Sequence, residues 1–311
     1  MATSQAPQDP PPPQRIAVIG TGTVGASWAA LFHAHGAEVV AYDPASDAGP
    51  RLDAFIAEAW PLLQRMGAPG GGRLSLAATP EEAAATADLV QENAPETLEL
   101  KQSLLRTLDD AAPAHAIIAS STSSLLRSRM VETCARPDRI IIAHPFNPPH
   151  IVPLVEILGS DAGVVARAAA FYGALGKTPV ILQCEAVGHI ANRLTAAVLR
   201  EALYMVEQGI ADVDGIDAAM CTGPGLRWAL MGPFLTYHLG GGDGGIRHYL
   251  DHLGPSQVER WKDLGTPTLN AALKDRVVTG VEAAYGATDP AVLARRRDAT
   301  LAGLLEAKSK G

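Results

Sequence analysis

The chain has 311 residues, 47% of them hydrophobic and 19% charged, with a formal net charge of −8. That balance excludes wholesale disorder, and at about 100–200 residues per domain the length suits two domains. The acidic sign argues against non-specific binding to nucleic acid or an anionic membrane, so neither is expected as a partner.

Residues 1–14 (MATSQAPQDPPPPQ) contain no Arg or Lys and no apolar run, so they read as neither a signal peptide nor a transit peptide. Pro10 to Pro13 favour extended backbone, which predicts a disordered, solvated tail. Arg15 to Gly20 (RIAVIG) is a short Ile/Val run of the kind a buried parallel strand needs. A helical pattern through Trp28, Leu31 and Phe32 follows from Val24. Further strands are predicted at Ala37 to Asp43, Asp88 to Ala94, Ala116 to Ser121, Arg139 to His144 and Thr178 to Gln183. Ala- and Leu-rich stretches with helical spacing, such as Leu98 to Leu108, lie between most of them. Strands alternating with helices predict a doubly wound parallel sheet.

Beyond Gln183 the strand pattern disappears. His189 to Glu207, Asp214 to Cys221 and Leu293 to Lys308 read as helices, with turn signals at Gly223 to Gly225 and Gly240 to Gly245. The expected organisation is a tail (1–14), an α/β domain (15–186) and a smaller all-α domain (187–311). No stretch reaches the roughly 18 apolar residues of a membrane helix. Cys134, Cys184 and Cys221 are widely spaced without a CxxC pair, so no disulfide framework and no metal site are expected. A reducing, cytoplasmic setting fits.

Gly20-Thr21-Gly22-Thr23-Val24-Gly25 is a G-x-G-x-x-G between a predicted strand and a predicted helix, which makes it a dinucleotide fingerprint of the Rossmann type. Gly20 serves the tight turn, Gly22 lets the backbone approach a pyrophosphate, and Gly25 permits close helix–strand packing. The helix start at Thr23 and Val24 offers N–H groups and the positive dipole end to phosphate. Asp43, at the end of the second strand, can accept from a ribose 2′-hydroxyl and repels a 2′-phosphate, so NAD is the expected cofactor.

His144 ends a strand on the side where such sheets bind ligands. It opens His144-Pro145-Phe146-Asn147-Pro148-Pro149, which continues to Pro153-Leu154-Val155-Glu156. With the glycine fingerprint, Ser120-Ser121-Thr122-Ser123-Ser124 and Gly188-His189-Ile190-Ala191-Asn192-Arg193-Leu194, this order of motifs resembles the L-3-hydroxyacyl-CoA dehydrogenase superfamily over about residues 15 to 308. The branch it is most similar to contains the L-gulonate and L-carnitine dehydrogenases. The resemblance implies that His144 is a general base and Glu156 its partner. It also implies that Ser123 and Asn192 bind the reacting oxygen, that Asn147 lies near nicotinamide and substrate, and that Glu96 and Lys101 touch the cofactor. A carboxylate on the far nitrogen of an imidazole makes it a better base, so the pair is chemically sensible. A homodimer through the helical domain is implied as well.

Two departures stand out. Ser121 occupies a position that is often Asn in the acyl-CoA enzymes, and His189 replaces a residue that is commonly Phe.

The substrate implied is a small L-3-hydroxy acid. The segment from Pro44 to Ala78 carries Arg51, Arg65 and Arg73 but no Lys, a poor match to the several phosphate charges of a CoA thioester. Arg227 offers a planar fork to a carboxylate, and Trp228, Phe234 and Tyr237 offer aromatic faces to a quaternary ammonium. Aromatics at helical spacing also suit core packing, but the segment from Gly223 to Tyr237 resembles the L-carnitine branch more than the gulonate one, and that resemblance implies L-carnitine as the favoured substrate, with L-gulonate and 3-hydroxyacyl-CoA as alternatives. A crystallin-like structural protein or an NADH-binding sensor is the non-enzymatic alternative.

Overall fold

A computed structural model describes residues 14–308. The chain divides into two compact units, one holding the chain up to Arg193 together with Leu301–Glu306, the other Leu194–Thr300. The expected tail lies outside the described residues except for Gln14, whose N–H donates to Asp88 Oδ2 and whose carbonyl accepts from Glu38.

The first unit is built on eight strands: β1 (Arg15–Ile19), β2 (Glu38–Tyr42), β3 (Arg73–Leu76), β4 (Leu89–Glu92), β5 (Ile117–Ser120), β6 (Ile140–Pro145), β7 (Leu154–Leu158) and β8 (Thr178–Ile181). Their spatial order is β3-β2-β1-β4-β5-β6-β7-β8. Every neighbouring pair is parallel except β6 and β7. Helices α1 (Thr23–Ala34), α2 (Ala48–Arg65), α3 (Pro80–Ala84), α4 (Leu98–Ala111), α5 (Arg127–Met130) and α6 (Ala162–Ala174) connect them.

Side chains alternate along each strand, so both faces need cover. Ile16 and Val18 of β1 pack with Trp28, Phe32, Leu52 and Tyr172 from α1, α2 and α6. Ala17 and Ile19 face the other way, with Ala83, Leu105 and Met130 from α3, α4 and α5. The fold is thus the doubly wound α/β arrangement read from the sequence. All six expected strands are present, and two more were not foreseen. β3 is a four-residue edge strand whose residues are mostly exposed, so it carries no apolar run. β7 has an acid, Glu156, at its centre.

Strand order reverses between β1 and β4, and a ligand crevice opens at their carboxyl ends. The glycine turn lies there. Gly20 has a φ of +85°, and a Cβ on it would come 2.9 Å from the Asn93 carbonyl oxygen. A Cβ on Gly25 would overlap the Gly20 carbonyl, so helix and turn can meet this closely only through glycine.

The second unit is all helical: most of α7 (Ala191–Gln208), then α8 (Val213–Thr222), α9 (Pro224–Trp228), α10 (Pro233–Gly240), α11 (Gly245–His252), α12 (Gly254–Asp263), α13 (Ala271–Tyr285) and most of α14 (Pro290–Lys308). Asp212 and Asn270 cap α8 and α13 by accepting from Gly215 and Leu273. Arg276 ties α13 to the end of α7 through the carbonyls of Val206 and Glu207. Among the described residues no helix is long and apolar enough to cross a membrane.

Candidate active site

A cavity of about 410 Å³ in the first unit is lined by Val24, Asn93, Ala94, Glu96, Lys101, Ser121, Ser123, His144, Pro145, Phe146, Asn147 and Asn192. Eight of the residues singled out in the sequence, counting Ser121, are therefore brought to one place. Gly22, Thr23 and Asp43 lie along the same crevice edge, at the start of α1 and the end of β2.

The centre of the site follows from sheet register. Antiparallel pairing sets His144 of β6 directly opposite Glu156 of β7, so both side chains stand on one face. His144 Nδ1 lies 2.8 Å from Glu156 Oε2. A carboxylate only accepts, so Nδ1 carries a hydrogen, and in the neutral ring the lone pair is then on Nε2. Glu156 is fully buried, and its second oxygen accepts from the N–H groups of Ile190 (2.7 Å) and Ala191 (3.0 Å) at the start of α7. Burial pushes the Glu156 carboxyl up, but the bonds from His144 and these two N–H groups outweigh it and hold the group below the usual carboxylate range.

Ser123 is placed by Glu96. A single oxygen, Glu96 Oε1, accepts from Thr122 Oγ1 (2.7 Å), the Ser123 N–H (2.8 Å) and the Ser124 N–H (2.9 Å), with both serine hydroxyls within 3.2 Å. Burial opposes the charge on Glu96, yet these donors and Lys101 keep its carboxyl below the ordinary range. Asn192 Nδ2 donates to the Ser123 carbonyl at 3.4 Å. Glu96 thus organises the serine loop, a role that its sequence position did not suggest.

The anticipated Glu96–Lys101 pair is long, at 3.9 Å. Lys101, 1% exposed, instead places its ammonium 2.8 and 2.9 Å from the two oxygens of Glu92 and 3.0 Å from the Ala94 carbonyl. Glu92 also accepts from Ser120 and from the Ala94 N–H. The sequence reading missed Glu92: the string shows an acid nine residues before Lys101, but not the burial that pairs them. Ser121 belongs to a second network: Trp28 Nε1 and Gln91 Nε2 donate to its hydroxyl, which donates to Asn93 Oδ1 at 2.7 Å.

The crevice fits a dinucleotide. A Cβ on Gly22 would meet nothing within 4 Å, which leaves open the space beside the first turn of α1, and no side chain caps that helix. Asp43 Oδ2 accepts from the Thr21 N–H at 2.7 Å and Oδ1 from Ala45 at 3.0 Å. Burial works against its charge, but these bonds and the nearby Arg51 hold its carboxyl below the ordinary value.

The loop from Phe146 to Pro153, which joins β6 to β7, is anchored from two sides. Ser27 Oγ meets His150 Nδ1 at 2.7 Å and accepts from the His150 N–H at 2.8 Å. The Lys177 amine donates to the carbonyls of Pro149 and Val152 and lies 5.9 Å above the Trp28 ring. Burial pushes this amine down to about 7.

Arg227, Trp228, Phe234 and Tyr237 belong to the second unit, on α9 and α10, and all four are exposed. Tyr237 packs on Tyr249 with ring centroids 4.7 Å apart.

The profile of the 3-hydroxyacyl-CoA dehydrogenase NAD-binding domain matches residues 15–185, and that of the C-terminal domain of the same family matches residues 188–271. The chain is 46% identical to the L-carnitine dehydrogenase of Streptomyces griseus, covering 99% of this chain and 95% of that protein. It is 44% identical to the L-carnitine dehydrogenase of Pseudomonas putida, covering 94% and 93%. Among solved structures, a 5-formyl-3-hydroxy-2-methylpyridine 4-carboxylic acid 5-dehydrogenase, described as an NAD+ dependent dismutase, superposes with a TM-score of 0.83 at 28% identity, covering 95% of this chain and 98% of that one. The 3-hydroxybutyryl-CoA dehydrogenase of Escherichia coli K12 gives 0.62 at 32% identity, covering 73% and 49%.

Proposed function

The chain belongs to the 3-hydroxyacyl-CoA dehydrogenase family, and from that premise we propose that it oxidises L-carnitine to 3-dehydrocarnitine with NAD. The observation that carries the chemistry is the 2.8 Å contact between His144 Nδ1 and a buried Glu156 at the edge of a cavity that also holds Ser123 and Asn192. The glycine turn, the first turn of α1 and Asp43 would hold the dinucleotide. When bound, its nicotinamide accepts the hydride from C3 of the substrate.

The protein groups do the rest. Ser123 and Asn192 hold the C3 hydroxyl, and His144 Nε2 removes its proton as the hydride departs. Glu156 keeps the ring in the tautomer that leaves Nε2 free and stabilises the imidazolium that forms. Its two bonds from the start of α7 keep it from turning away. On the second unit, Arg227 suits a carboxylate, and the exposed rings of Trp228, Phe234 and Tyr237 suit a quaternary ammonium. Those are the two charged groups of L-carnitine.

CoA thioesters fit less well. Arg51 lies 3.3 Å from Asp47 and Arg65 lies 3.0 Å from Glu306, so two of the three cations in that segment already face acids. The second unit also exposes Leu226, Leu230, Leu239 and Trp261, which supports a homodimer formed through it. Cys134, Cys184 and Cys221 are free thiols, which suits a reducing compartment such as the cytoplasm.

The test is NADH formation with L-carnitine, L-gulonate, L-3-hydroxybutyrate and 3-hydroxybutyryl-CoA, for the wild type and His144→Ala. L-carnitine should be preferred, and the variant should lose turnover while still binding NADH. An order-of-magnitude preference for the CoA ester overturns the substrate assignment, and equal loss of turnover and NADH binding overturns the role of His144.

A further inference from the structure

His189 stands outside the chemistry just described, yet its side chain is 2% exposed and its ring centroid lies 5.0 Å from that of His144. Among the described residues it is the one non-glycine residue with a positive φ, at +50°. The left-handed region costs most residues some energy and persists where the surroundings require it. Here the requirement is visible: the turn at His189 sends the next two N–H groups, of Ile190 and Ala191, onto Glu156. The side chain meanwhile crosses to the serine loop, where Nε2 lies 3.1 Å from the Thr122 carbonyl oxygen.

That carbonyl can only accept, so Nε2 carries a hydrogen. The other nitrogen, Nδ1, is buried without a hydrogen-bond partner. A second proton would sit there with no acceptor, beside the ring that becomes cationic during the reaction. The ionisable groups facing His189 are His144 of β6, Glu156 of β7 and Glu96 from the segment after β4. Burial lowers its proton affinity first, and His144 acts in the same direction; the Thr122 carbonyl, Glu156 and Glu96 oppose them without reversing the sign.

We propose that His189 is a positioning residue for the dehydrogenation: an imidazole that packs against His144 on one side and fixes the Thr122–Ser123 backbone on the other. Base and hydroxyl-binding serine are thereby held at one spacing, and no second cation competes when His144 takes the proton. The proposal rests on the His144–Glu156 reading above and deepens it. A phenylalanine here would keep the packing and lose the bond to Thr122; a glutamine would keep a donor at similar reach and lose the ring.

Two measurements test it. In steady-state assays His189→Phe should lower kcat about tenfold, about what a buried hydrogen bond is worth, with the KM for NAD unchanged. His189→Gln should recover part of that loss. In 15N NMR of histidine-labelled wild type, the His189 resonance should report a neutral ring with hydrogen on Nε2 from about pH 7 to about 9. Wild-type kcat in His189→Phe, or a His189 ring that takes up a second proton within that range, overturns the proposal. The NMR measurement needs no turnover, so a wild type inactive on every hydroxy acid defeats the reaction reading while the tautomer still decides the role of His189.

Discussion

Replacing Glu156 by glutamine changes the chemistry of one buried group while keeping its shape. The carbonyl oxygen of the new side chain can still accept from Ile190 and Ala191, which donate to Glu156 at 2.7 and 3.0 Å. The amide NH2 must then face His144 Nδ1 across the 2.8 Å contact. An amide nitrogen only donates, so Nδ1 must become the acceptor and the ring hydrogen moves to Nε2, where the base needs a lone pair. Two losses add. A hydrogen bond to a charged partner is worth about 1.5–3 kcal/mol, and forcing the wrong tautomer costs about 1 kcal/mol more. A total of about 2.5–4 kcal/mol, at about 1.36 kcal/mol per decade, is a fall of about 70- to 900-fold in kcat. NADH formation with L-carnitine measures it, and fluorescence titration of NADH checks the cofactor crevice, which Glu156 does not line. NADH affinity should stay within about twofold, and the melting temperature should move little, because the bonds to α7 survive. If Glu156→Gln turns over within threefold of wild type, the tautomer argument is wrong.

Two further expectations concern ionisable groups away from this pair. Asp43→Asn keeps one acceptor oxygen, enough for Thr21 or Ala45 but not for both, and removes the charge that repels a 2′-phosphate, so the preference for NAD over NADP in kcat/KM should drop about tenfold; unchanged selectivity refutes that role for Asp43. Lys177 has its amine lowered to about 7 in the fold, against about 10.4 for an exposed lysine. Between those values the unfolded chain binds a proton that the folded protein lacks, so this group makes stability rise with pH across that window. Lys177→Met should remove that slope in denaturation midpoints measured at about pH 7 and 9.5, and parallel slopes for the two proteins contradict it.

The features legible in the sequence were those with a local cause. β1 showed as an Ile/Val run, the glycine turn as a spacing, and Asp43 and His144 as polar residues ending strands. What escaped was set by tertiary partners. Glu92 acquires its role from Lys101, which α4 carries back to it, and Glu96 from a serine loop on the far side of β5. Pro61 within α2 and the short Pro- and Gly-punctuated helices α9 to α12 look like turns when only neighbours in sequence are considered. His189 could be noticed as unusual, but its burial and its bond to Thr122 depend on a fold that brings residues 67 apart into contact.

The antiparallel pairing of β6 and β7 separates two things that enzymes often have to adjust together. The distance from acid to base is written into the rungs of the sheet, His144 against Glu156, and owes nothing to the connection between those strands. That connection carries Phe146 and Asn147, which line the cavity. Descendants of this chain can therefore lengthen, shorten or rewrite the stretch from Phe146 to Pro153 in search of new substrates while inheriting the proton-transfer apparatus intact. A one-residue slip of β7, by contrast, turns Glu156 to the opposite side of the sheet and ends the chemistry at once.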